Sequence, residues 1–148
     1  MNMSAHTAQG VRSLLESQKL AVLATTGQAG PHASLVALAS SQDLRTLVLA
    51  TPETTRKYAN LIQEPQVALL VDNRSNQAAD CHAAMAVTAY GQARVQTKKH
   101  APAWEELYLK KHPHLRDFVQ APSCALVTVS VDRYSLVSSF QHVQEIEP

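Results

Sequence analysis

Residues 47–62 read LVLATPETTRKYANLI, and the rest of the chain is best interpreted outward from this stretch. An apolar run typical of a strand ends at Ala50, and a helical pattern follows through Tyr58. The threonines between them predict a short turn. Thr51 is expected to cap the helix, with Pro52 at its first position.

Two cations, Arg56 and Lys57, fall within the first two turns of this predicted helix. A helix start carries free backbone N–H groups and a partial positive charge, so cations are normally unfavourable there. Hydroxyls, amides and two cations at one helix end would instead converge on a bound anion. The alternative is a capped surface helix with solvated charges, and the stretch alone favours neither interpretation.

On either side of this stretch the chain alternates between strand and helix patterns. Upstream, the predicted elements are a helix over 7–18, strands over 20–26 and 32–39 joined by a turn over 27–31, a polar turn over 40–45 and a strand over 46–50. Downstream, they are a helix ending near residue 65, strands over 66–71 and 85–96, helices over 102–111 and 115–119, and strands over 125–131 and 132–140. Residues 72–82 are polar and irregular, and Gly91 predicts a bulge or bend.

Few of these strands are joined by helices of crossover length, which argues against a doubly wound parallel sheet. The order predicts a mainly β chain with flanking helices, built as a mostly antiparallel barrel. At 148 residues the chain fits one domain spanning 1–148, with an N-terminal helix about 7–18 and a barrel about 20–140.

Composition narrows the classes of function. Thirteen Lys and Arg against twelve Asp and Glu give a net charge of +1, so no strong field draws the chain to nucleic acid or a membrane surface. Apolar stretches are too short to cross a bilayer, and residues 1–6 lack the pattern of a secretory signal. Cys81 and Cys124 form no metal or redox motif, and reduced thiols fit a cytoplasmic location. No zinc pattern, paired-carboxylate motif or Ser–His–Asp spacing identifies a catalytic residue.

Six segments together resemble the FMN-binding split-barrel family related to pyridoxamine 5′-phosphate oxidase. They are GPHASLV at 30–36, ATPETTRKYANL at 50–61, EPQVALL at 64–70, VDNRSN at 71–76, AVTAYGQA at 86–93 and YSLVSSFQ at 134–141. Their order and spacing carry the resemblance, which extends from about residue 14 to residue 140. It implies an antiparallel split β-barrel of the FMN-binding type, forming a homodimer with FMN at the subunit interface.

The resemblance also implies where the cofactor phosphate binds. By position, Thr55, Arg56 and Lys57 would hold the FMN phosphate, with Thr51 nearby. This agrees with the independent argument for an anion at the helix start.

The strand His32–Val36 is implied to offer backbone groups to the edge of the isoalloxazine ring through His32, Ser34, Leu35 and Val36, and Ser34 could add its hydroxyl. The pyrimidine edge presents donors and acceptors that a strand edge can match. The family's oxidases carry an arginine in this strand for the phosphate, but no arginine lies in 29–39 here. Either His32 or Ser34 takes the place of this arginine, or the phosphate is bound by Arg56 and Lys57 alone. The alternative for His32 is a solvated residue.

Asn73 and Arg74 follow the strand over 66–71. In smaller family members this loop approaches the flavin from the same subunit or its mate, and the alternative is a plain turn with an exposed arginine. Met85 and Phe140 either line the ring pocket or belong to the core.

The implied function is that of an FMN-dependent oxidoreductase acting on a small molecule. A nicotinamide is one candidate for its electron donor. Oxidation of pyridoxamine phosphate is disfavoured, because no tryptophan follows Trp104 where the oxidases have a Trp-rich end. Two other functions stay open: a flavin carrier or sensor without turnover, and a heme-binding or heme-degrading relative. For heme, the candidate iron ligands are His142 or the pair His112 and His114. The alternative for His142 is a position in a mobile tail, and the alternative for His112 and His114 is a loop that ends a helix.

Overall fold

A computed structural model describes residues 4–97, 101–139 and 142–148. Its helices are α1 (Ala5–Ser17), α2 (Arg56–Gln63), α3 (Asp80–Ala83), α4 (Pro102–Lys111) and α5 (Arg116–Gln120). Its strands are β1 (Leu20–Gly27), β2 (Gly30–Ala37), β3 (Ala39–Ser40), β4 (Thr46–Pro52), β5 (Gln66–Asp72), β6 (Ala86–Gln96), β7 (Cys124–Ser138) and β8 (His142–Ile146). Within these ranges, no helix has the length and apolar character needed to cross a bilayer.

The strands form one antiparallel sheet with the order β2-β1-β5-β6-β7-β4-β3, and β8 also pairs with β7. The long strand β7 serves two partners on one side, because residues 124–130 pair with β4 and residues 134–138 pair with β8. Strand β6 runs along its other side. The sheet curls into a half-barrel with helices at its flanks. The prediction of a mainly β, antiparallel fold with flanking helices is therefore confirmed.

Two apolar cores explain why the central strands carry so little charge. The main core lies inside the half-barrel, where Leu14 and Leu15 of α1 pack with inward residues of β1, β5, β6 and β7. The second core lies under α4 and α5, where Tyr108 packs against Val48 of β4. Strand β4 lies between the two cores and is buried on both faces, which accounts for its continuous apolar sequence.

Helix α2 begins later than predicted. Thr51 and Pro52 continue β4 in its ladder with β7 instead of starting the helix. The cap is Thr55, whose hydroxyl accepts a hydrogen bond from the backbone N–H of Tyr58 at 3.3 Å. Both threonines have the chemistry of a cap, and the length of the β4–β7 ladder decides between them.

The two last predicted strands are one continuous strand, β7. Asp132 is the extra residue of a bulge, because Tyr90 and Gly91 pair with Arg133 and Val131. The irregularity predicted at Gly91 is therefore confirmed, and the chain bends there without leaving the sheet. Residues 142–146, for which a mobile tail was the alternative, form β8.

A buried polar contact holds α2 against the β1–β2 hairpin. The side-chain amide of Asn60 donates a hydrogen bond to the hydroxyl of Thr25 at 3.1 Å. Gly27 leaves room for this amide, because a Cβ at that position would meet Oδ1 of Asn60. The hairpin turn is limited to residues 28–29, and not the predicted 27–31, because Gly27 pairs with Gly30. This contact consequently fixes the position of α2 relative to the β1–β2 hairpin.

Candidate functional site

The start of α2 is built by two threonines in contact. The hydroxyls of Thr51 and Thr55 lie 2.8 Å apart. Both are within hydrogen-bond distance of the carbonyl oxygen of Pro52, at 3.2 and 3.0 Å. Thr51 has no exposed surface, whereas Thr55 is half-buried. Thr51 therefore lies behind Thr55 and orients it, and its own side chain cannot reach a ligand directly.

Arg56 and Lys57 occupy the first two positions of α2, nearer to its positive end than the sequence predicted. Their backbone N–H groups have no acceptor within the helix, as at any helix start. The first turn carries no acidic residue, and in the described part of the chain neither cation forms an ion pair. Positive charge and free amide donors thus occur together at one helix end, which is the arrangement that binds an anion.

Strand β2 has a free edge, since among the described residues it pairs with β1 alone. Pro31 determines which residues face that edge. Proline has no N–H, so the pair of Pro31 with Thr26 cannot be a hydrogen-bonded one. Pro31 and every second residue after it therefore direct their backbone groups away from β1. The free edge offers the N–H and C=O groups of Ala33 and Leu35.

The side chains of β2 alternate between the two faces of the sheet. His32 and Ser34 are half-buried on the inner face, and Val36 belongs to the main core. Leu35 points outward and is 66% exposed. The ring contacts were predicted as backbone groups of His32–Val36, but those of His32, Ser34 and Val36 face β1, so Leu35 is the one residue named in that prediction whose backbone groups reach the free edge.

Ser34 carries an unsatisfied group. Its Oγ is buried and, alone among the buried side-chain polar atoms of the described ranges, lacks a hydrogen-bond partner. A buried hydroxyl without a partner is costly, so such a group in a native fold calls for an explanation. A polar ligand atom beside β2 would supply the missing partner.

Asn73 and Arg74 are engaged within their own loop. The side-chain oxygen of Asn73 accepts a hydrogen bond from the N–H of Met85 at 2.8 Å, and the backbones of these residues are also bonded at 3.2 Å. Arg74 pairs with Asp72 at 2.8 Å. The loop contains the short helix α3, where irregular structure was predicted. In this structure both predicted residues therefore stabilise the conformation of their own loop.

Four of the predicted site residues line two separate clefts. The first, here called the α2–hairpin cleft, has a volume of about 310 Å³ and is lined by Gln28, Ala29, Gly30, Pro31, His32, Arg56, Asn60 and Gln63. The second, here called the outer-face cleft, has a volume of about 460 Å³ and is lined by Ser17, Gln18, Lys19, Leu20, Ala21, Val22, Leu35, Leu70, Asp72 and Arg74. The fold thus brings His32 together with Arg56, and Leu35 together with Arg74. Arg56 and Arg74 line different clefts.

The histidines proposed as heme ligands occupy different environments. His112 is 1% exposed, and its Nε2–H donates to the carbonyl oxygen of Leu38 at 2.9 Å. Burial lowers the pKa of His112 below its ordinary value, so the ring is a neutral part of the core. His114 and His142 are exposed, the latter at the start of β8. Phe140, a candidate for the ring pocket, lies outside the described residues.

Sequence reasoning missed the remaining walls of the α2–hairpin cleft. Asn60 and Gln63 follow Arg56 at spacings of four and seven, which places all three on one face of α2. That spacing was visible in the sequence. The partner of Asn60, Thr25, is 35 residues away and gave no local signal.

An antiparallel half-barrel that is open at the free edge of β2 and flanked by helices belongs to the split-barrel class of folds. The family model described as pyridoxamine 5′-phosphate oxidase matches residues 8–138. The chain therefore belongs to this family, as its sequence predicted. A comparison with curated proteins finds no match.

Solved structures of the same fold come from several bacteria. The heme binding protein from Mycobacterium smegmatis is 20% identical with a TM-score of 0.84, and the match covers 99% of this chain and 59% of that protein. A FAD-binding protein from Mesorhizobium loti is 15% identical with a TM-score of 0.70 and coverages of 95% and 94%. A protein from Clostridium acetobutylicum related to general stress protein 26 is 14% identical with a TM-score of 0.75 and coverages of 98% and 96%. The chain thus spans about three fifths of the mycobacterial protein, and at these identities the likeness establishes the fold alone.

Proposed function

We propose that the chain is an FMN-binding flavoprotein and, through its flavin, an oxidoreductase acting on a small molecule. The observation that carries the proposal is the start of α2, where two cations without ion-pair partners in the described chain meet free backbone amides. The membership of the family and the name of the Mesorhizobium loti protein, which describes FAD binding, support a flavin as the ligand.

The residues at this point fit a phosphate dianion. The hydroxyl of Thr55, the first N–H groups of α2 and the side chains of Arg56 and Lys57 would hold it, and Thr51 would support Thr55 from behind. Two cations match the two charges of the phosphate, and charge-assisted hydrogen bonds are the stronger kind. His32, which shares the α2–hairpin cleft with Arg56, lies where it can assist them.

The free edge of β2 fits the pyrimidine edge of the flavin ring. The backbone N–H and C=O groups of Ala33 and Leu35 supply the donors and acceptors, and Ser34 supplies a buried hydroxyl that lacks a partner. Arg74 lines the outer-face cleft, so in this proposal Arg74 and its neighbour Asn73 contact the flavin of the partner subunit.

A second copy of the chain is the proposed partner. Leu35, Val22 and Leu70 form a cross-strand row on the outer face of the sheet, and Leu20 lies diagonally beside them. Leu35 and Leu20 are 66% and 56% exposed, which is unusual for adjacent leucines on one sheet face. A homodimer would bury this row and enclose the flavin. Leu35→Glu is therefore expected to give a monomer in analytical ultracentrifugation.

When bound, the flavin supplies the redox chemistry, and the protein residues bind and orient it. A nicotinamide or another small molecule is the proposed electron donor. A carrier or sensor without turnover would use the same binding residues, so only turnover separates it from an enzyme. Anaerobic titration with NADH and NADPH, followed by an electron acceptor, distinguishes the two.

The experiment that tests the proposal is a titration of the purified protein with FMN and riboflavin. Riboflavin lacks the phosphate, so we expect it to bind at least about tenfold more weakly, as the loss of one charge-assisted bond predicts. Arg56→Ala with Lys57→Ala should weaken FMN binding and leave riboflavin binding unchanged. Lys110→Ala with Arg116→Ala is the matched control, because it removes one exposed lysine and one exposed arginine elsewhere.

Equal affinities for FMN and riboflavin would remove the role given to the start of α2. A melting curve of the double variant separates lost binding from lost folding. If the variant melts like the parent and still prefers FMN, the phosphate binds elsewhere and the proposal fails.

Heme binding is the second candidate, and the exposed position of His142 on β8 is the observation that permits it. Titration with hemin would then give a sharp Soret band that His142→Ala removes. Such a result in a protein that takes up no flavin would replace the FMN proposal.

A further inference from the structure

The α2–hairpin cleft extends beyond the point where the flavin phosphate is proposed to bind. Helix α2 forms one wall with Arg56, Asn60 and Gln63, which span about 10 Å along the helix axis. The tip of the β1–β2 hairpin forms the opposite wall. The cleft therefore has one end at the positive start of α2 and continues for roughly two turns of helix.

The lining of this cleft suits an uncharged polar group joined to an anion. No acidic side chain lines it, and its polar side chains are amides, one imidazole and the guanidinium of Arg56. Its volume of about 310 Å³ is enough for a small ligand group.

Gly30 at the hairpin tip adds room for close approach. Its φ is +99°, a conformation that favours glycine, and a Cβ there would have no neighbour within 4 Å. The backbone at this tip is thus open to a ligand.

We propose that the α2–hairpin cleft takes the adenosine monophosphate part of flavin adenine dinucleotide, so that the site binds FAD more tightly than FMN. This inference rests on the proposed function, because the flavin phosphate at the start of α2 sets where the rest of the cofactor continues. The second phosphate lies beside Arg56. The amides of Gln63 and Gln28 face the adenine, whose edge offers the donor and acceptor pair that a carboxamide matches.

Calorimetric titration of the purified full chain with riboflavin, FMN and FAD tests the inference. FAD should bind at least about tenfold more tightly than FMN. Gln63→Glu and Gln28→Glu each place a negative charge in the cleft, and each should weaken FAD binding about tenfold while changing FMN binding less than twofold. Gln9→Glu, an equal change of charge on an exposed position of α1, should alter neither affinity.

The results separate this inference from the proposed function. If FMN and riboflavin bind alike, the proposed function fails. If FMN binds more tightly than riboflavin but FAD binds no more tightly than FMN, only the dinucleotide assignment is overturned. A preference for FAD that survives both cleft variants also overturns it. The assignment is likewise overturned if ADP binds to the FMN-loaded protein while FAD binds no more tightly than FMN, because the cleft would then bind a separate nucleotide.

Discussion

The contact between α2 and the hairpin at Gly27 gives a quantitative test of the fold around the site. In Gly27→Ala the new Cβ would meet Oδ1 of Asn60 and lie 2.8 Å from its Cγ. Asn60 is 8% exposed and bonded to Thr25 at 3.1 Å. Its side chain can move aside only by breaking that bond.

The cost follows from two terms. Overpacking a close contact costs about 1–3 kcal/mol, and the lost hydrogen bond adds about 1 kcal/mol. We therefore expect Gly27→Ala to lower the free energy of unfolding by about 2–4 kcal/mol. At about 2–4 °C per kcal/mol for a chain of this size, the melting temperature should fall by about 4–16 °C. Urea unfolding followed by circular dichroism, together with thermal melting, measures both quantities.

A double-mutant cycle isolates the contact itself. Asn60→Ala removes the obstacle, so in that background Gly27→Ala should cost less than about 1 kcal/mol, leaving a coupling energy of at least 1 kcal/mol between the two positions. Additive effects of the two substitutions would refute the reasoning, because the destabilisation would then arise from the backbone of Gly27 and not from Asn60.

Two further predictions concern the sheet and the second core. Gly91→Ala should cost at least about 3 kcal/mol in urea unfolding, because its Cβ would meet the backbone oxygen of Ser130, which cannot rotate away as a side chain can. Gly10→Ala on helix α1, where the Cβ would lie 3.1 Å from the flexible end of Leu136, should change stability by less than about 1 kcal/mol and is the control. Burial lowers the pKa of His112 in the folded protein. As the pH falls below about 6.5, His112 therefore takes up a proton in the unfolded chain before it does so in the folded one. The free energy of unfolding should consequently decrease below that pH. His112→Gln keeps a donor for Leu38 and should flatten that decline between pH 7 and pH 5, whereas parallel stability curves would contradict the assignment.

Much of the fold could be predicted because its signals are local. The apolar run that forms β1 and the helical pattern of α4 each mark their own elements, and the structure places α4 at the predicted residues 102–111. The family could likewise be inferred from several such segments in order, without any single decisive motif.

The errors arose where pairing between distant strands decides the outcome. Thr51 and Thr55 are equally good caps in isolation, and only the ladder with β7 shows that Thr51 is still in β4. The predicted break between the last two strands is a bulge at Asp132, because β6 holds both halves of β7 in one sheet. Strand β8 depends on its pairing with β7, which no local pattern revealed.

The two ends of the proposed flavin site differ in the same way. The phosphate end stays a prediction, and it could be made from the sequence because the threonines and both cations lie within one short segment, Thr51 to Lys57. The ring end could not be predicted, because Ala33 and Leu35 are chosen by the register of β2 against β1. Pro31 indicates this register, because a residue without an N–H must have its backbone nitrogen on the side of the free edge. The proline can be interpreted only after its partner, Thr26, is known, so the ring end of the site becomes visible in the sequence once strand pairing is established.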